Sequence, residues 1–226
     1  MDLPEPYVGD WAKVFDQPQR GLPVASWRTS LDPLVLKQYR AGYFGCINHI
    51  DEQIGRVLQR RPGNTIVLFV SDHGEMLGDH QWIRKRNAFE ASARIPFIIN
   101  GLPGSTGRQV RDEPVELMDV MPTLLDAAGV DIPDSVDGSS LAPLLRGQST
   151  AWRDYVHGEC SEVPSLGSGM QYVTDGKRKY IWYPGTSDEQ YFDLEADPRE
   201  MHDLIGDASR AGEIDQWRQR LVSELV

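Results

Sequence analysis

Apolar residues recur at helical spacing from Leu36 through Tyr39, Tyr43, Ile47, Ile50 and Ile54 to Val57, which predicts a long amphipathic helix ending near Leu58. Asp32-Pro33 supplies an N-cap followed by proline at the first helical position, and Arg61-Pro62-Gly63-Asn64 terminates the helix. The next pattern is different. Residues 65–70, Thr-Ile-Val-Leu-Phe-Val, are a continuous apolar run rich in β-branched side chains, the signature of a strand covered on both faces, as in a parallel sheet. A second such run covers residues 94–100. A short helix follows over residues 115–128, with Pro122 near its start and Gly129 ending it, and a helical turn at 141–145.

Beyond Ser149 the texture changes to strand-like segments at 155–159, 170–174 and 179–183, the last two joined by the turn Asp175-Gly176. Residues 191–194 add another strand. Residues 211–225 form a terminal helix with Ile214, Trp217, Leu221 and Leu225 on one side. The first thirty residues, rich in Pro, Gly and Asp, form a loop-like lead-in. The alternation of strand and helix favours an α/β fold, a mixed or parallel sheet flanked by helices, with a small C-terminal antiparallel sheet and its terminal helix appended. The division falls between residues 1–148 and 149–226.

Composition narrows the function classes. The chain has 226 residues, 40% of them hydrophobic, with six Trp and eight Tyr, which suits an ordered protein with one sizeable core. Its net charge of −11 argues against general nucleic-acid or anionic-membrane binding, although Arg84-Lys85-Arg86 offers a local pocket for an anion. No stretch is long or apolar enough to span a bilayer, and the N-terminus lacks a secretory signal, so the chain as written is expected in the cytoplasm. Two cysteines, Cys46 and Cys160, without CxxC spacing, exclude a disulfide framework, and Cys46 is expected to be buried on the apolar stripe of the long helix.

The chemistry concentrates in Ser71-Asp72-His73-Gly74-Glu75-Met76-Leu77-Gly78-Asp79-His80, which leaves the first apolar strand directly. Ligands gather at the carboxyl ends of strands in open α/β sheets, and Gly74 is expected to let the backbone turn there. A carboxylate beside an imidazole, Asp72 with His73, makes half of a divalent-metal site.

The order of motifs resembles the C-terminal half of the sulfatases, within the alkaline-phosphatase-like superfamily of metal-dependent ester hydrolases. The resemblance rests on residues 48–58 as the helix before the metal-binding strand and on residues 71–78 as the metal loop. Lys85 with residues 89–96, then residues 117–125 and 191–200, complete it. The resemblance implies Asp72 and His73 as metal ligands, with calcium the usual ion and manganese or zinc suited to the imidazole. It implies Lys85 as the ammonium facing the sulfate and the leaving oxygen, and His80 in the same loop as a proton donor or substrate contact. Arg94 is expected to anchor its strand through an ion pair, and Glu75 to brace the loop. One departure matters: sulfatases use a C/S-x-P-x-R motif, converted to formylglycine, and no such motif occurs here.

The opening residues 2–7 resemble the segment after the family's Pro-His motif, so a partial sulfatase is expected, with self-association or a partner chain covering an uncovered sheet edge. Three functions stay open. They are hydrolysis of sulfate esters with the nucleophile supplied elsewhere, hydrolysis of phosphonate monoesters or phosphodiesters, and a non-catalytic binding or assembly role.

Overall fold

The computed structural model describes residues 3–12, 31–105, 107–161 and 169–226. Most of the expected N-terminal lead-in, residues 13–30, lies outside the described residues. The long helix, α1 (Pro33–Leu58), starts where its cap chemistry places it: the Asp32 carboxylate accepts from the Leu34 N–H at 2.9 Å, and Pro33 fills the first turn. Strand β1 (Val67–Val70) follows, then the loop, a single-turn helix α2 (Glu90–Ala93) and strand β2 (Phe97–Asn100). The two strands pair antiparallel, Val67 opposite Asn100 and Val70 opposite Phe97. Here the structure departs from the parallel, doubly covered strand expected from the apolar run. Phe69 and Ile98, opposite each other, are 40% and 57% exposed, so this face of the pair is incompletely covered among the described residues.

Helix α3 (Val120–Ala128) ends at Gly129 in a left-handed cap, and α4 (Ala142–Leu145) packs beside it. The buried Asp119 just before α3 accepts from both terminal guanidinium nitrogens of Arg153, Nη1 and Nη2, at 2.7 Å, tying the end of the α/β layer to the segment that enters the second sheet.

The C-terminal sheet is an antiparallel meander, β3 (Val156–Cys160), β4 (Met170–Thr174), β5 (Arg178–Tyr183) and β6 (Asp188–Asp193), in sequential order. Its period-2 alternation serves two faces. On one face Val173, Tyr180 and Tyr191 pack against Ile214, Trp217 and Leu221 of the terminal helix α5 (Ala211–Glu224). On the other, Met170, Ile181 and Phe192 pack against Met76, Ala88 and Phe89 of the loop that follows β1. The sheet is therefore the platform on which that loop rests.

Cys46 is exposed, contrary to expectation, because α1 turns its apolar stripe outward: Ile47, Ile50 and Val57 are 44%, 53% and 69% exposed. Arg40 is the buried residue of α1. No helix among the described residues is long and apolar enough to cross a membrane.

Candidate active site

The loop from Ser71 to Phe89 leaves the end of β1 and folds back over the C-terminal sheet. Its entry depends on Gly74, whose N–H donates to the Ser92 carbonyl at 2.7 Å. A Cβ at Gly74 would stand 2.1 Å from the Ala91 carbonyl oxygen, so glycine is required by close approach of two backbones rather than by the sharp turn expected from the sequence. Asp72 and His73 precede it and face outward. The Asp72 side chain is 82% exposed, and its Oδ2 lies 3.2 Å from His73 Nε2. His73 Nδ1 sits 2.8 Å from the Gly74 carbonyl; a carbonyl only accepts, so Nδ1 carries a proton, and the other ring nitrogen, Nε2, faces the carboxylate. A carboxylate oxygen and an imidazole nitrogen side by side fit half of a divalent site. No third His, Cys, Asp or Glu joins them among the described residues.

The charge around Asp72 favours its ionised form. Desolvation, the largest single influence, acts the other way, but the His73 N–H, the His73 ring, the Asp72 backbone N–H and the Lys85 ammonium together hold the carboxyl below its usual range. Lys85, half-buried, lies near enough for its charge to act on Asp72. Tyr43 of α1 joins from the side: burial first, then the charges of Glu75 and Asp72, push its phenol upward.

The backbone that carries Lys85 is strained. Leu77, His80, Gln81, Arg84 and Arg86 all have φ between 51° and 76°, the left-handed region that non-glycine residues seldom occupy, and two of them flank Lys85 directly. Such a path persists only where contacts over-determine it. Glu75 Oε1 accepts from the Arg84 N–H and from the Tyr39 hydroxyl at 2.8 Å, the bracing role expected for Glu75. The Met76 N–H donates to the Arg84 carbonyl at 2.8 Å, and Arg40 Nη1 donates to the Leu77 carbonyl at 2.6 Å. Arg94 pairs with Glu90 at 3.6 Å, one turn away, as expected.

His80 stands apart from these residues. It has no exposed surface; its ring packs against Tyr7, Trp11 and Phe89, and its Nδ1 accepts the Gly9 N–H at 3.0 Å. Burial pushes its pKa down to about 4. Expected as a proton donor or substrate contact, His80 is instead a bracket between the N-terminal segment and the loop, because a ring sealed among aromatics has no path to a substrate. Lys179 and Glu200, a buried ion pair at 2.8 Å under the loop, were not singled out from the sequence. The available signal was Lys179 itself, a charge at an inward position of the alternating strand 178–183.

The family model described as Sulfatase matches residues 2–130, and the model described as N-sulphoglucosamine sulphohydrolase, C-terminal, matches residues 78–225. The chain belongs to the sulfatase family. The arylsulfatase of Clostridium perfringens (strain 13 / Type A) is 46% identical over 234 residues, an alignment that takes in 99% of this chain and 48% of that protein. A structure solved in complex with its substrate D-glucosamine-2-N,6-O-disulfate matches with a TM-score of 0.73 at 29% identity, over 84% of this chain and 40% of that one. The phosphonate monoester hydrolase of Silicibacter pomeroyi matches with a TM-score of 0.75 at 28% identity, over 86% of this chain and 42% of that one. This sulfatase-family chain therefore spans about half the length of the relatives it matches. The mixed α/β architecture, with its antiparallel C-terminal sheet and terminal helix, is the fold of those neighbours.

Proposed function

We propose that this chain supplies one side of the active centre of a metal-dependent sulfuric ester hydrolase of the arylsulfatase kind. The observation that carries the proposal is the Asp72–His73 pair at the end of β1, within electrostatic reach of Lys85, on a strained loop pinned by buried contacts. Asp72 and His73 Nε2 would hold the cation, calcium by preference of the carboxylate and manganese or zinc by preference of the imidazole. A bound cation supplies electrostatic polarisation of the ester oxygens. The Lys85 ammonium offsets the charge that grows on the leaving oxygen as the S–O bond breaks, and the Gly74 carbonyl keeps the His73 ring in the tautomer that leaves Nε2 available. The attacking nucleophile is not among these residues: the sequence contains no C/S-x-P-x-R motif, so turnover requires polypeptide that carries one.

Titration calorimetry with calcium and with manganese, on the chain and on Asp72→Ala, tests the metal half of the proposal. Cation binding lost in the variant supports it; a folded chain that binds neither ion overturns it. Turnover of an aryl sulfate is expected only after addition of a polypeptide bearing the nucleophile motif, and metal-dependent turnover by the chain alone would overturn the assignment of roles. The likeness to a phosphonate monoester hydrolase favours a second substrate class, so an aryl phosphonate monoester belongs in the same assay.

A further inference from the structure

Lys179, on β5, has no exposed surface, and its ammonium spends its donors on three oxygens: the Ala88 carbonyl at 2.6 Å, Glu90 Oε1 at 2.7 Å and Glu200 Oε1 at 2.8 Å. The second Glu200 oxygen accepts the Glu90 N–H at 2.7 Å. Glu200 is itself locked in place: it is fully buried with φ at 54°, and its carbonyl accepts the Trp11 indole N–H at 2.7 Å. One cation and two carboxylates in an interior are a poor way to gain stability, since an apolar group of the same size often does better. What the cluster does achieve is geometric. It captures a carbonyl at residue 88 and an N–H at residue 90, on either side of the buried Phe89, a few residues after Lys85. On the near side of Lys85, Glu75 captures the Arg84 N–H and Met76 the Arg84 carbonyl. Lys85 is thus suspended between two fixed points, and the far one is built by the C-terminal sheet.

We infer that the Lys179–Glu200–Glu90 cluster is a positioning device that sets the place of the Lys85 ammonium, and that this is the contribution of the C-terminal sheet to the site. The inference rests on the reading of Lys85 given above. Lysines occur at positions 13, 37, 85, 177 and 179 only, so ¹³C reductive methylation of the full chain yields a small set of resonances, with Lys85 assigned by Lys85→Arg. In the parent chain the Lys85 signal should stand away from that of a free lysine and move in Asp72→Asn. In Glu200→Gln and Lys179→Met it should collapse toward the free position. Amide exchange over residues 84–90 should rise roughly tenfold or more while β4, β5 and β6 keep their protection. Lys179→Arg, which retains the charge, should restore part of the parent signal.

A Lys85 signal at the free-lysine position in the parent, or one unmoved in a folded Glu200→Gln, overturns the inference. So does loss of protection in the sheet and the loop together in both variants, which would make the cluster a folding element. If Lys85 follows the cluster but the chain binds no cation, the positioning role stands and the sulfatase chemistry proposed above falls.

Discussion

Two amphipathic helices in this chain carry nearly the same apolar spacing and meet opposite fates. In α5, Ile214, Trp217 and Leu221 are 4%, 4% and 2% exposed, pressed onto one face of the meander sheet. In α1, Ile47, Ile50 and Val57 stand 44%, 53% and 69% exposed. Periodicity states which side of a helix is apolar; it does not state whether anything lies against it. The C-terminal sheet is covered on both faces, by α5 on one and by the Lys85 loop on the other. Among the described residues the α1 layer meets the loop through Leu36, which lies against Gly78, and through polar anchors, Tyr39 on Glu75 and Arg40 on the Leu77 carbonyl.

The sharpest way to break this contrast is to hollow the closed unit. Trp217→Ala removes the largest side chain of α5 from a site that is almost fully covered, and is expected to cost about 3–5 kcal/mol in denaturant unfolding. Loss of the α5 contacts leaves the other face of the sheet, so amide exchange should show Lys85-loop protection falling less than that of β4, β5 and β6. A cost below about 1 kcal/mol would mean that α5 is an ornament on the sheet rather than half of its core.

That contrast also explains what was legible in the sequence. Strands β3 to β6 and α5 were foreseeable because neighbours in sequence are neighbours in space, and Asp175-Gly176 fixes one hairpin by local chemistry: the Asp175 carboxylate accepts the Lys177 and Arg178 N–H groups at 2.8 and 2.7 Å. The cap of α1 at Asp32 was foreseeable for the same reason. The antiparallel pairing of β1 with β2 was not, since a continuous apolar run carries no record of strand direction. Among site residues, Asp72 and His73 lie side by side and the Lys85 charge reaches Asp72, whereas His80 went inside. Its burial is decided by Tyr7 and Trp11, more than sixty residues earlier in the chain, a contact that no local pattern reports.

His80 gives the second test, because it joins the N-terminal segment to the closed core. Its pKa is about 4 in the folded chain against an ordinary 6.5. The unfolded chain therefore takes up a proton through that window while the folded chain does not. His80's contribution is fully present above about pH 6.5 and is lost progressively as pH falls toward 4, by about 3 kcal/mol in all. Urea midpoints measured across pH 4 to 7 should show this slope, and His80→Phe, which keeps the aromatic packing but cannot titrate, should flatten it. An unchanged slope in the variant would place the acid sensitivity in the buried carboxylates instead.

The smallest effect should come from the exposed helix. Ile50→Ser in α1 removes a side chain that is already 53% in water, so little buried area is lost and no cavity opens. Serine is a slightly poorer helix former than isoleucine or its equal, and the net change in stability should stay within about 0.5 kcal/mol. The same substitution shrinks an apolar stripe that runs along α1 through Tyr43, Ile47 and Val57, the kind of patch that draws chains together. Sedimentation of parent and variant at matched concentration separates the two consequences. Equal stability with a lower sedimentation coefficient in the variant marks the stripe as an adhesive surface. A loss of several kcal/mol would show that the helix is already covered in solution, and would erase the contrast with α5.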